Sequence, residues 1–101
     1  MVKIFIDDTR EFPALTEGYQ NARTYQECIS LLSLYQEIDI LHLDYDLGTF
    51  ETGLDILKYV QENNIKVKEF IIHSTHVHGV ALMKKYISEN FPESQLEYQP
   101  R

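Results

Sequence analysis

Apolar residues fall along this chain in short β-branched runs separated by stripes with helical spacing. Val2, Ile4, Phe5 and Ile6 form the first run, which stops at Asp7 and Asp8 and predicts a buried strand over residues 2–6. Residues 9–19 contain Pro13 and Gly18 without helical periodicity and read as a loop. A very short strand fits around Ala22 and Arg23. Thr24, followed three residues later by Glu27, has the form of a capping box, and Ile29, Leu31 and Leu32 carry it into a helix over residues 25–37. Residues 38–44 predict a second buried strand, 48–53 a loop, and 54–63 a helix ended by Asn63 and Asn64. A third clear strand covers 69–74. A helix over 78–89 places Val80, Met83 and Ile87 on one stripe, and 95–99 fits a last strand.

Strands that alternate with helices predict a parallel sheet. Ligands of such sheets bind beyond the carboxyl ends of the strands. That rule singles out Asp7 and Asp8 after the first strand, Asp44 after the central one, and His73 and Ser74 after the next. Successive side chains on a strand point to opposite faces, so His73 and Ser74 both reach one site only if the strand ends there.

Length and composition narrow the classes. The chain has 101 residues, 44% of them apolar and 25% charged, which predicts one globular domain over 1–101. No apolar run approaches the roughly 18 residues of a membrane span. The start of the chain meets acids after three apolar residues in a row, too early for a signal peptide, so a cytoplasmic location is expected. Cys28 is the only cysteine, so no intrachain disulfide can form, and it reads as a packing residue. The net charge of −7 excludes nucleic-acid binding through general phosphate attraction. A phosphate ligand would need a local offset, which a divalent cation supplies.

Several segments resemble two-component receiver domains. Ile4-Phe5-Ile6-Asp7-Asp8 is similar to their first strand and acidic pair. Ile40-Leu41-His42-Leu43-Asp44, then Gly53-Leu54-Asp55-Ile56-Leu57, resembles the phosphoacceptor strand and next helix. Phe70-Ile71-Ile72-His73-Ser74 resembles the strand ending in a hydroxyl residue, and Tyr98-Gln99-Pro100 stands where receivers have lysine and proline. The departures resemble a narrower family, the cyclic-phosphate-processing receiver-like domains. These show Asp-Asp-x-Arg, here Asp7-Asp8-Thr9-Arg10, and an Asp-His-Asp-Leu-Gly type motif, here Asp44-Tyr45-Asp46-Leu47-Gly48. They also show a His-Ser pair, here His73-Ser74, and a following glycine, here Gly79. Tyr45 stands in place of the family's histidine, so no role of that histidine carries over.

The resemblance implies a small, doubly wound α/β domain of flavodoxin or receiver type, with strand order 2-1-3-4-5. The first and last receiver helices are expected to be missing, because residues 9–19 are loop-like and the chain stops where the last helix would begin. The three recognisable helices would then share one face. Both faces of the strands are apolar, with Ile4, Ile6 and Ile40 expected one way and Phe5, Leu41 and Leu43 the other, so the second face would need cover. Phe12, Pro13, Leu15 and Tyr19 offer part of it. The remainder predicts a homodimer or another partner on that face.

Gathered carboxylates repel one another, and a hard divalent cation, Mg²⁺ or Mn²⁺, relieves the repulsion. Asp8 and Asp44 are the expected direct ligands, with Asp7 direct or through water. Asp46 is either a fourth acid or the cap of the Leu47-Gly48 turn. Arg10 is either a planar clamp for phosphate or a solvated loop residue. His73 suits a general acid or base, and Asp44 and Asp8 join it as expected catalytic residues. Ser74, by the receiver resemblance, and His76 are expected phosphate contacts. His73, His76 and His78 also have a spacing that zinc could use, although no nearby cysteine supports it. His42 lies mid-strand and reads as structural.

Three functions follow. The family resemblance implies a metal-dependent phosphohydrolase or phosphodiesterase acting on a phosphate ester, a cyclic one, of a small molecule or nucleotide. A signalling receiver phosphorylated on Asp44 is the second, with Gln99 against it. A non-catalytic binder of a phosphorylated nucleotide is the third.

Overall fold

The computed structural model describes residues 1–7 and 18–99. β1 (Lys3–Ile6), β2 (Gln20–Ala22), β3 (Glu37–Leu43), β4 (Lys66–His73) and β5 (Gln95–Gln99) form one sheet in the order β2-β1-β3-β4-β5, every pairing parallel. Among the described residues there are three helices, α1 (Tyr25–Leu32), α2 (Gly53–Glu62) and α3 (Val77–Asn90). This is the expected receiver-like order. The stretch where a first receiver helix would lie, and with it Phe12, Pro13 and Leu15, falls outside the described residues.

Local chemistry fixes the helix ends. Thr24 Oγ1 accepts from the Glu27 N–H at 3.1 Å and starts α1. Asp55 Oδ2 accepts from the Thr52 N–H at 2.8 Å and starts α2. Asn64 takes a left-handed conformation (φ 54°) just past α2, which asparagine tolerates. α1 is shorter than its pattern predicts. It closes at Ser33, Leu34 is exposed, and Glu37 already belongs to β3. β4 starts three residues earlier than expected, because Lys66 and Lys68 extend the strand where the sheet meets water. Lys68 Nζ lies 3.2 Å from Asp39 Oδ1 on the neighbouring strand.

The helices all pack on one face. Cys28, Leu32, Ile56, Leu57, Val60, Val80, Met83 and Ile87 join Ile4, Ile6, Leu41, Leu43, Phe70 and Ile72 in a single buried cluster. This corrects the expected grouping of side chains. Ile4 is in register with Leu41, and Lys3 with Ile40, so Leu41 and Leu43 accompany Ile4 and Ile6 while Ile40 shares a face with Phe5. Where β3 meets the start of β1, the N–H groups of both Asp39 and Ile40 donate to Val2 O, at 2.8 and 3.3 Å.

The second face is not bare. Phe5, His42, Ile71 and His73 at its centre are all buried, and the Tyr19 ring sits edge-on to Phe5 at 6.0 Å. Glu97 and Gln99 at its outer edge are exposed. No helix among the described residues is long and apolar enough to cross a membrane.

Candidate metal site at the strand ends

β1, β3 and β4 end side by side, and each delivers a polar residue out of the sheet. Asp7 follows Ile6, Asp44 follows Leu43, and His73 closes β4. Their registers place them on the face of Phe5 and His42, away from the helices. All three are buried, at 0, 1 and 4% exposure. His73 Nε2 lies 3.1 Å from Asp7 Oδ2. One ligand atom from each of Asp7, Asp44 and His73 falls within 4.8 Å of the others. Two carboxylate oxygens and an imidazole nitrogen form a donor set that suits a divalent cation of borderline hardness.

The loop after Asp44 is fastened on both sides. Asp44 Oδ1 accepts from the following Tyr45 N–H at 2.7 Å, and Tyr45 O accepts from the Gly53 N–H at 2.8 Å. A β-carbon at residue 53 would overlap Asp44 O, so only glycine lets α2 begin this close to the strand end. The Tyr45 ring lies over the first turn of α3, where a β-carbon on Gly79 would overlap it. It also packs against the His76 ring, 4.6 Å between centroids. Tyr45 thus wedges the acidic loop against α3, a role its position in the motif did not suggest.

The other expected site residues are sorted by the same geometry. Asp8 and Arg10 lie outside the described residues. Ser74 is buried but belongs to the opposite face from His73. Its Oγ accepts from the His76 N–H at 3.1 Å, and its carbonyl accepts from Tyr98 Oη at 2.9 Å. His76 is exposed and caps α3, with Nδ1 accepting from the Gly79 N–H at 2.9 Å. Asp46 is exposed and caps its turn, Oδ1 accepting from the Gly48 N–H at 2.9 Å, so the turn-cap alternative is the one realised. His73, His76 and His78 do not converge: among the described residues the metal-capable group is Asp7, Asp44 and His73. Gln99 is in register with His73, yet its amide donates to Glu97 Oε2 at 2.6 Å.

Sequence reasoning placed His73 at this edge but did not pair it with Asp7. The signal was available in the alternation of side chains: Phe5 and Asp7, His42 and Asp44, Ile71 and His73 each share a parity, and the registers align them.

No curated protein and no solved structure matches the chain. The model of the cyclic-phosphate processing receiver domain matches residues 2–89, a span that includes Asp7, Asp44, His73 and the three helices almost to the end of α3. The chain therefore belongs to the family of cyclic-phosphate processing receiver domains.

Proposed function

We propose that Asp7, Asp44 and His73 hold a divalent cation, Mn²⁺ or Mg²⁺, and that the protein hydrolyses a phosphate ester at this site, a cyclic phosphate of a small molecule or nucleotide. The observation that carries the reading is the convergence of two buried carboxylates and one buried imidazole at the carboxyl ends of three adjacent parallel strands. A cation bound there would polarise a phosphoryl oxygen and offset charge that develops on it. Asp7 and Asp44 would supply the negative charge, and His73 would supply Nε2, the atom that faces Asp7. Arg10 and Asp8 follow Asp7 closely in sequence and are assigned to phosphate and cation by the same reading. In the reaction, water oxygen bonds to phosphorus, one ring P–O bond breaks, and the leaving oxygen takes the proton that the attacking water gives up. The product is a phosphate monoester.

Calorimetric titration with Mn²⁺ and Mg²⁺, wild type against Asp44→Asn, tests the site. Binding lost in the variant supports it, and no binding to wild type overturns it. A ribonucleoside cyclic phosphate followed by phosphorus NMR then tests turnover. Hydrolysis that survives both Asp44→Asn and chelation counts against this mechanism. Intact mass after incubation with acetyl phosphate and Mg²⁺ separates the reading from a phosphoacceptor role, for which Asp44 would gain one phosphoryl group. A second copy of the chain on the outer rim of the second sheet face is the proposed protein partner. A single monomeric species in sedimentation at micromolar concentration would exclude it.

A further inference from the structure

We propose that His42 is a positioning residue for His73, fixing the direction in which Nε2 points. The inference rests on the reading of Asp7, Asp44 and His73 as a metal site and deepens it. His42 lies in the middle of β3, two residues before Asp44, and is only 4% exposed. Its ring centroid stands 4.5 Å from that of His73, with the planes at 90°. It stands the same 4.5 Å from Phe5, at 75°. Phe5 and His73 are themselves stacked, 4.8 Å apart and only 16° from parallel. Three rings from three adjacent strands thus close a triangle with nearly equal sides.

The strands explain why the triangle matters. β1 and β4 flank β3, so their backbones are about two strand spacings apart, roughly 9–10 Å. Phe5 and His73 nevertheless meet face to face, which requires both to lean across β3 at the position of His42. An imidazole on a strand end has two free torsions, and the second is broad and weakly preferred. Phe5 against one face of the His73 ring restricts tilt. His42, perpendicular to that ring, restricts rotation about the second torsion. The packing leaves one ring plane, and within it the contact to Asp7 Oδ2 at 3.1 Å sets the edge that carries Nε2. A ring at position 42 does this by packing on His73 rather than by holding the cation itself.

The test compares His42→Ala, which removes the ring, with His42→Phe, which keeps one. Two readouts are taken on folded protein. The first is the long-range proton–nitrogen NMR spectrum of the His73 imidazole in metal-free protein. The second is the Mn²⁺ dissociation constant. Wild type and His42→Phe are expected to share one sharp His73 signature, whereas His42→Ala shows shifted or averaged signals. Loss of a residue that orients a ligand weakens metal binding by about tenfold or more, so that rise is expected for His42→Ala and not for His42→Phe. A folded His42→Ala protein with the wild-type His73 signature and Mn²⁺ affinity overturns the proposal. Should that variant fail to fold, His42→Leu, which keeps bulk without a ring, is read in the same two ways. A wild type that binds no Mn²⁺ removes the metal-site reading alone, and the metal-free spectra still decide the role of His42.

Discussion

His73 Nε2 stands 3.1 Å from Asp7 Oδ2, a contact that joins β4 to β1 across the whole width of β3. Both side chains are almost entirely removed from water. The pair leaves Asp7 beside a second buried carboxylate, Asp44, within the same 4.8 Å cluster.

Asp44→Asn should therefore make the metal-free protein more stable. Two unit charges 4.8 Å apart repel by about 3–4 kcal/mol at an effective dielectric near 20, which sets the scale of the gain. Urea denaturation in chelator measures the gain. Added Mn²⁺ should raise the melting temperature of wild type and leave the variant unmoved, since a ligand stabilises only the state that binds it. A variant less stable than wild type in chelator would mean that Asp44 serves the fold first.

Tyr45 and Gly79 should be strongly coupled. Gly79→Ala forces a methyl group into the Tyr45 ring and should cost about 1–3 kcal/mol. In a Tyr45→Ala background the sign should reverse. The ring is gone, and alanine is better than glycine inside a helix by about 1 kcal/mol. A double-mutant cycle measured by denaturation reads the coupling, and additive effects would show that the ring does not occupy that space in solution.

Cys28 should be inert in the native protein. Burial pushes its thiol up to about 12. Against an ordinary thiol, the reactive thiolate at pH 8 is then scarcer by about a thousandfold. Iodoacetamide at pH 8 should leave the folded protein unmodified by mass and label it fully in denaturant.

The sequence was most informative where a physical signal ended sharply. Ile6 to Asp7 and Leu43 to Asp44 pass from apolar to charged in one step, and there the strand ends lie within one residue of expectation. α1 was overextended because Leu34 and Tyr35 continue the apolar pattern after the backbone has turned. The face of Ile40 follows from the register of β3 against β1, Lys3 with Ile40 and Ile4 with Leu41, which composition does not mark. At the site, chain position alone gave Asp7, Asp44 and His73. The division of labour between His73 and Ser74 needed the register of β4. Tyr45 looked like a simple replacement in a motif, and its packing against α3 depends on a glycine thirty-four positions later.

Acid should act on the opposite end of the sheet through Asp39. Its carboxylate accepts from the Val2 N–H at 2.8 Å and meets Lys68, and these, the backbone bond first, hold it below the ordinary aspartate value of 3.8. A carboxyl with a lowered folded value contributes stability that is present above 3.8 and lost as the pH falls through the folded value. The stability gap between wild type and Asp39→Asn should thus stay level from neutral pH down to that region and close below it. Denaturation series at stepped pH would show the closing, and a gap that persists unchanged into strong acid would sink the assignment.

The cap on α3 decides what His76 can offer at the rim. Its Nδ1 accepts the Gly79 N–H at 2.9 Å. A nitrogen that accepts cannot also carry a proton, so the neutral ring keeps its hydrogen on Nε2. Toward solvent the imidazole presents an N–H and no lone pair. It can meet the oxygen of an anion, and it could bind a cation through Nε2 only by moving its proton to Nδ1 and releasing the first turn of α3.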